Sequence, residues 1–355
     1  MSAPRPPRPG APAVCVDLYS DTRSRPSEAM RAAMMAAEVG DEQAGLDPSV
    51  NALCARVAAM LGKPAAMFLP SGTMCNEIAI LTHCRPGDEV LAHADAHIIT
   101  AEGGAPAALA GVRVHPLGGE DGQFDAAAVR DAAYARGRYS APRRLVCAEQ
   151  TANVGGGAVW PLARLDAVAA AARAEGMATH MDGARLFNAT VASGVDPAAM
   201  AAGWDSVWVD FTKGLGAPIG AVLAGSTQFI DDAWRWKQRL GGAMRQAGIA
   251  AAGCLFALDH HVARLAEDHR RAARLAAGLA LVPGLTVAGP ATNLVYFDVR
   301  GLGCDAAGFA ARAAERGVAV SVMGRFAVRA VTYLDIDDAA IETAIRLLGA
   351  AAAAI

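Results

Sequence analysis

Aromatic residues make up only 5% of this 355-residue chain, and several other features are scarce or missing. No charge excess stands out. The formal net charge is −3, with no basic stripe, so the electrostatic footprint of a nucleic-acid-binding protein is lacking. Arg, Asp or Glu interrupts every alanine-rich stretch, and none leaves the roughly 20 apolar residues that a membrane span needs. The opening MSAPRPPRPGAPA has arginines but no apolar signal-peptide core. Residues 1–13 therefore read as a Pro-rich disordered tail on a cytoplasmic protein. The seven cysteines (Cys15, Cys54, Cys75, Cys84, Cys147, Cys254 and Cys304) are odd in number and form no CxxC pair. Reduced thiols are expected and a zinc site is not, and no residue is assigned as a metal ligand.

Hydrophobic residues make up 54% of the chain and charged residues 19%, the balance of a folded globular protein. The length suits a large domain plus a smaller one. DPSVNALCARVAAMLG reads as a helix capped by Asp47, with Pro48 at its first position, an apolar face of Leu53, Val57 and Met60, and Gly62 at its end. AAMFLP, DEVLAH, VRVHPL, RLVCAEQ, MATHMD, SVWVDF and GAVLAG read as short strands with helices between most of them. Such alternation predicts an α/β fold whose sheet is mostly parallel and covered on both faces. A long helical stretch runs from near Met244 past Arg274, with room for a break. LTVAGP, NLVYFDV, VAVSVM and FAVRAVTYLD then read as strands of a smaller α+β domain. The expected division is a large domain at 14–251 and a small one at 252–355, with no internal repeat.

Ligands on parallel sheets sit at the carboxyl ends of the strands. Asp182 ends MATHMD, Arg185 follows it, Lys213 follows SVWVDFT, His97 follows VLAHADA, and Ser71, Gly72 and Thr73 begin a helix directly after AAMFLP. A helix start offers free N–H donors to a phosphate. A lysine amine condenses with an aldehyde. A buried carboxylate can keep a heteroaromatic nitrogen protonated, and an imidazole can stack on a flat ring. Pyridoxal phosphate is the ligand that uses all four. Plainer readings stand beside these: Ser71 as an ordinary helix cap, Arg185 in a structural ion pair, His97 as a core histidine. TKGLGAP is not a P-loop, because its lysine precedes the glycines.

RPSEAMRAAMMAAEVGDE, FLPSGTMCN, HMDGARLFNA, TKGLGAPIG and GGAMRQAG resemble the low-specificity L-threonine aldolases, within the beta-eliminating lyase group of fold-type-I pyridoxal-phosphate enzymes. The likeness covers nearly the whole chain after about Val14. It implies an aspartate-aminotransferase-like fold and a homotetramer with active sites shared between subunits. It also implies a lyase that cleaves β-hydroxy-α-amino acids such as threonine or allo-threonine to glycine and an aldehyde. Carried across, Lys213 would form the Schiff base, Asp182 would face the pyridine nitrogen, and His97 would stack on the ring. Gly72, Thr73 and Thr212, with Ser71, would take the phosphate. Arg245 would reach the phosphate of a neighbouring subunit, and Ser20, Arg185 and Arg329 would hold the substrate carboxylate. The base that accepts the β-hydroxyl proton would be His97 or a water it positions.

The chain also departs from that pattern. Ala44 stands where relatives have a tyrosine, Ala152 where they have a histidine, and Tyr139 near a second histidine position; Tyr333 and Tyr19 are further replacements. These departures touch the substrate side, so other outcomes on the same cofactor stay open: β-elimination, racemisation or transamination. A non-catalytic cofactor-binding protein is a further alternative.

Overall fold

The computed structural model describes residues 13–134 and 137–354, which places 1–12 of the expected tail outside the described residues. Contacts divide the chain into two units. One is Ser24–Ala266. The other joins the chain up to Arg23 to everything from Glu267 onward.

The larger unit is built on a seven-stranded sheet. Its strands are β1 (Ala65–Leu69), β2 (Glu89–His93), β3 (Arg113–Leu117), β4 (Arg143–Glu149), β5 (Ala178–Gly183), β6 (Ser206–Asp210) and β7 (Ala221–Gly225), in the order β1-β7-β6-β5-β4-β2-β3. Strands β2 to β6 are parallel, whereas β7 is antiparallel to both β1 and β6. Two reversals cancel, so β1 runs with the parallel strands and only β7 opposes them. Six strands therefore end on one edge, as a mostly parallel sheet requires.

The two faces bury different side chains because successive residues of a strand point opposite ways. Val146, Met181, Val207 and Val209 join one core with Leu53, Val57, Leu165 and Val168. Met67, Leu69, Trp208 and Leu223 join another with Ile78, Phe229 and Ala233. Each such buried aliphatic or aromatic side chain contributes about 1.5–3 kcal/mol. The Pro48–Met60 helix starts as the sequence predicts. Asp47 accepts from Val50 N at 3.0 Å, Pro48 is at the first turn, and Gly62 takes a positive φ of 61° beyond the end.

The smaller unit has an antiparallel sheet ordered Ser321–Val322, Ala327–Val331, Leu294–Asp298, Thr286–Val287. Leu275, Phe309, Ile341 and Leu348 from its helices pack on that sheet's Val295, Phe297 and Val328. The unit boundaries differ from the expected 14–251 and 252–355. Val16–Asp17 pairs in parallel with Val318–Ala319, and Val16 and Leu18 are buried in the small unit's core. A two-residue strand carries no periodicity by which to assign it. At the other boundary, the expected long helix is two, Gly248–His260 and Leu265–Leu279. The first packs on Glu28–Met35 and Pro48–Met60 and stays with the large unit. No helix among the described residues is long and apolar enough to cross a membrane.

Candidate active site

The shared strand edge of the large unit gathers most of the expected residues. Ser71, Gly72 and Thr73 follow β1 and open the Gly72–His83 helix; His97 follows β2; Asp182 lies in β5; Lys213 follows β6.

Lys213 is held at the end of β6 by a residue of that strand. Its Nζ donates to Asp210 Oδ2, and its side chain is 19% exposed. Asp210 Oδ1 also accepts from Thr212 N at 2.9 Å and Thr212 Oγ1 at 2.8 Å. Thr212 thus gives its hydroxyl proton to Asp210, leaving only the oxygen's lone pairs for another partner. Gly216 makes the turn after the lysine with φ of 74°, a conformation costly for residues with a Cβ. The Lys213 carbonyl accepts from Ser24 Oγ at 2.7 Å.

Asp182 is buried. Its Oδ1 accepts from Ala184 N at 3.0 Å and its Oδ2 from Asn76 Nδ2 at 2.8 Å. Burial pushes its carboxyl above the usual range; His97, the Asn76 amide and Lys213 pull the other way. Asn76 also donates to Glu102 Oε1 at 2.7 Å, and the same oxygen takes His97 Nδ1 at 2.7 Å. Ligand-type atoms of His97, Glu102 and Asp182 all lie within 4.8 Å of one another. Burial alone would lower the His97 pKa. The Glu102 hydrogen bond and the charges of Asp182, Glu102 and Glu149 outweigh it and raise the imidazole above its ordinary value. With Nδ1 directed at Glu102, Nε2 is the nitrogen that carries the lone pair once the ring is neutral. Glu149 supports the same residue: its Oε2 accepts from His97 N and its Oε1 from Asn153 N, both at 2.8 Å. Burial and Asp182 push the Glu149 carboxyl up to about 7.

Beneath Asp182 runs a buried relay. Trp208 Nε1 lies 2.7 Å from Asn76 Oδ1. An indole nitrogen only donates, so the amide oxygen must face it and the amide nitrogen must face the two carboxylates. The same oxygen meets His180 Nε2 at 3.1 Å, which makes that nitrogen the protonated one. His180 Nδ1 therefore accepts from Ser206 Oγ at 2.8 Å, and Ser206 accepts in turn from His83 Nε2 at 2.9 Å. Burial keeps both rings neutral, lowering His180 to about 3 and His83 to about 4. Sequence reasoning assigned neither histidine any chemistry, and it missed Asn76, Glu102, Glu149, Trp208 and Asp210.

Ser71 caps the Gly72–His83 helix by accepting from Met74 N at 3.3 Å. Gly72 has a packing reason as well, since a Cβ there would lie 2.2 Å from Trp208 Cη2. Gly183 of HMDGAR is equally constrained: a Cβ would meet the Trp208 carbonyl oxygen at 1.9 Å. Arg185 is buried at the start of the Leu186–Ser193 helix, and its N–H donates to Gln150 O at 3.1 Å. Arg245 is exposed and pairs with Asp41 at 3.1 Å. Ser20 and Arg329 belong to the smaller unit, where both are buried. Ser20 Oγ accepts from Thr22 Oγ1 at 2.8 Å, while Arg329 Nη2 donates to Ser321 Oγ at 3.3 Å and Tyr19 O at 3.4 Å.

The departures from the family pattern fall in unlike surroundings. Ala44 is exposed and Tyr139 is 93% exposed. Ala152 is buried, with its Cβ 2.7 Å from where a Cβ on Gly122 would lie. Tyr333 is buried in the smaller unit and donates to Asp17 O at 2.9 Å. Tyr19 stacks under the Arg23 guanidinium at 4.0 Å.

Known proteins resemble this chain in sequence and in fold. The beta-eliminating lyase family matches residues 17–301. A probable low-specificity L-threonine aldolase 2 of Arabidopsis thaliana is 41% identical over 335 residues, covering 92% of this chain and 94% of the relative. A Leishmania major threonine aldolase structure superposes with a TM-score of 0.81 at 22% identity, covering 94% of this chain and 98% of the other. An aspartate aminotransferase from Rhizobium meliloti gives 0.71 at 17% identity over 98% and 92% of the two chains. At such identities the structures speak to fold alone, and that fold is the aspartate-aminotransferase-like one of fold-type-I enzymes. On the strength of the sequence matches, the chain belongs to the low-specificity L-threonine aldolase family of beta-eliminating lyases.

Proposed function

We propose that this chain is a pyridoxal-phosphate-dependent aldolase that cleaves β-hydroxy-α-amino acids, threonine or allo-threonine among them, to glycine and an aldehyde. The observation that carries the reading is the convergence of Lys213, the Asp182–Asn76–Glu102–His97 array and the Gly72 helix start on one strand edge.

The donor set fits the cofactor. Lys213 would hold it through its amine. Asp182 would meet its ring nitrogen and His97 its face. Ser71, Gly72, Thr73, Thr212 and a neighbouring subunit's copy of Arg245 would meet its phosphate. Bound there, pyridoxal phosphate supplies an aldehyde that captures amines and a ring that accepts the electron pair released at Cα. The protein's own part is positioning and proton handling. Asp210 holds the Lys213 amine in place beyond the end of β6. Asn76 keeps Asp182 hydrogen-bonded, and burial strengthens the field of that carboxylate once it is ionised. His97 Nε2 takes the β-hydroxyl proton, while Glu102 on Nδ1 orients the ring and stabilises the charge it gains. For the substrate carboxylate, Arg185, Ser20 and Arg329 are the candidates. A planar guanidinium matches a carboxylate.

The assembly we propose is a homotetramer in the cytoplasm, consistent with seven unpaired cysteines. Exposed Met35, Leu46 and Ile249 in the larger unit offer apolar surface for a second copy.

Purified protein should show the visible absorbance of lysine-bound pyridoxal phosphate, and Lys213→Ala should abolish both absorbance and turnover. Threonine, allo-threonine and phenylserine should yield glycine plus aldehyde. Pyruvate or ammonia without aldehyde would assign the chain to a different bond cleavage on the same cofactor.

A further inference from the structure

Lys237 lies in the Thr227–Arg239 helix and is 1% exposed, and the chemistry proposed above does not use it. Its Nζ donates to Glu42 Oε1 and lies 4.7 Å from the centre of the Trp234 ring. Glu42 is buried as well. An ammonium and a carboxylate both lose hydration on burial, and apolar side chains of similar volume often serve stability equally well. What this pair does that apolar side chains would not is hold backbone. Glu42 Oε2 accepts from Met244 N at 2.8 Å, and Glu42 N donates to Arg245 O at 3.0 Å. The one carboxylate thus joins the ammonium of a helix to the residue before Arg245.

The loop at 240–247 is fastened at other points too. Gly242 N donates to Lys237 O at 2.9 Å. A Cβ on Gly242 would lie 2.4 Å from Met74 Sδ, in the first turn of the Gly72–His83 helix. Just past the loop, Gly248 N donates to Asp47 Oδ2 at 2.8 Å. The Arg245 guanidinium is held differently. Its side chain is 63% exposed and pairs with Asp41 at 3.1 Å. An exposed ion pair of this kind is weak, so the head can change partner while the backbone stays fixed.

We propose that Glu42 and Lys237 are positioning residues, whose buried pair fixes the Arg245 backbone so that its guanidinium is presented to the cofactor phosphate of a neighbouring subunit. Their role rests on the one proposed above for Arg245. A phosphate carries more charge and more acceptor oxygens than one carboxylate, and would replace Asp41 there.

The test uses the full-length protein freed of cofactor. It is titrated with pyridoxal phosphate and separately with pyridoxal, which has the same aldehyde and ring but no phosphate. The absorbance of the lysine-bound form reports both affinities. Glu42→Leu combined with Lys237→Met removes both charges together, leaves no buried charge unpaired and should remain folded. Arg245→Ala is the reference. Both proteins should bind pyridoxal phosphate at least about tenfold more weakly than wild type, the worth of one charge-assisted hydrogen bond, with pyridoxal affinity unchanged. Glu42→Gln, which keeps the size of the side chain, should show the same selective loss and is read in place of the double variant if that one does not fold. Equal weakening towards both ligands in a folded variant would overturn the positioning role, because a pair that only supports the fold has no preference for phosphate. Unchanged affinities beside a tenfold loss in Arg245→Ala would overturn the role of the pair alone. If Arg245→Ala itself loses nothing, the arginine does not meet the phosphate, and the shared site falls together with the pair's role in it.

Discussion

His97 shows how one side chain's chemistry is set by what stands behind it. Its Nδ1 is committed to Glu102, and three nearby carboxylates raise its pKa against the cost of burial. A raised histidine contributes stability that is complete below its unfolded value, near 6.5, and is lost as pH rises through the folded value. As a base it works in the opposite sense, because Nε2 accepts a proton only above the folded value. The expected kcat/KM for aldehyde release therefore rises with pH through an inflection above 6.5. Glu102→Gln, which removes the charge but keeps the shape, should move that inflection down. An inflection unmoved in the variant would show that some other group is the base. Lys213 and Asp182 were legible because each ends a strand and has few other reasons to be there. Asp210 and Asn76 were not, since an acid after a strand and an amide in a helix have many ordinary uses.

Secondary-structure elements supply the second level of organisation. Register pairs Cys147 with His180 and His180 with Ser206, then Glu149 with Asp182 and Asp182 with Trp208. With a period of two, these residues and Asp210 occupy one face of β4, β5 and β6, while Val146, Met181, Val207 and Val209 take the other. The Gly72–His83 helix lays Asn76 and His83 over the polar face. The alternation can be read in SVWVD and THMD, but register between strands cannot, because pairing depends on residues far apart in the chain. Ser206 tests the arrangement, as the hydroxyl that joins His83 to His180. Ser206→Ala should leave two buried ring nitrogens without partners and cost about 1–3 kcal/mol, read as a lower midpoint in urea unfolding. An unchanged midpoint would mean that the relay does not contribute to stability.

At the scale of the molecule, the two units have separate cores, and the chain enters the small one twice, at Val16–Leu18 and again from Glu267. The assembly proposal belongs to this scale. Light scattering should report a mass four times that of the chain. If Arg245 reaches a neighbour's phosphate, mixing Arg245→Ala with Lys213→Ala protein should restore measurable cofactor binding and turnover in the hybrids. A monomeric mass, or no recovery on mixing, would remove the shared site. By itself, the sequence determined the α/β class, the strand-end placement of Ser71, His97, Asp182 and Lys213, and the family. Those features rest on local periodicity and on short contiguous motifs. Only the tertiary structure decided that Val16 belongs with residue 318, that Trp208 orients Asn76, and that Glu102 meets both Asn76 and His97. Each of these joins residues that are distant along the chain and brought together by packing, where burial makes one hydrogen-bond arrangement cost less than its alternatives.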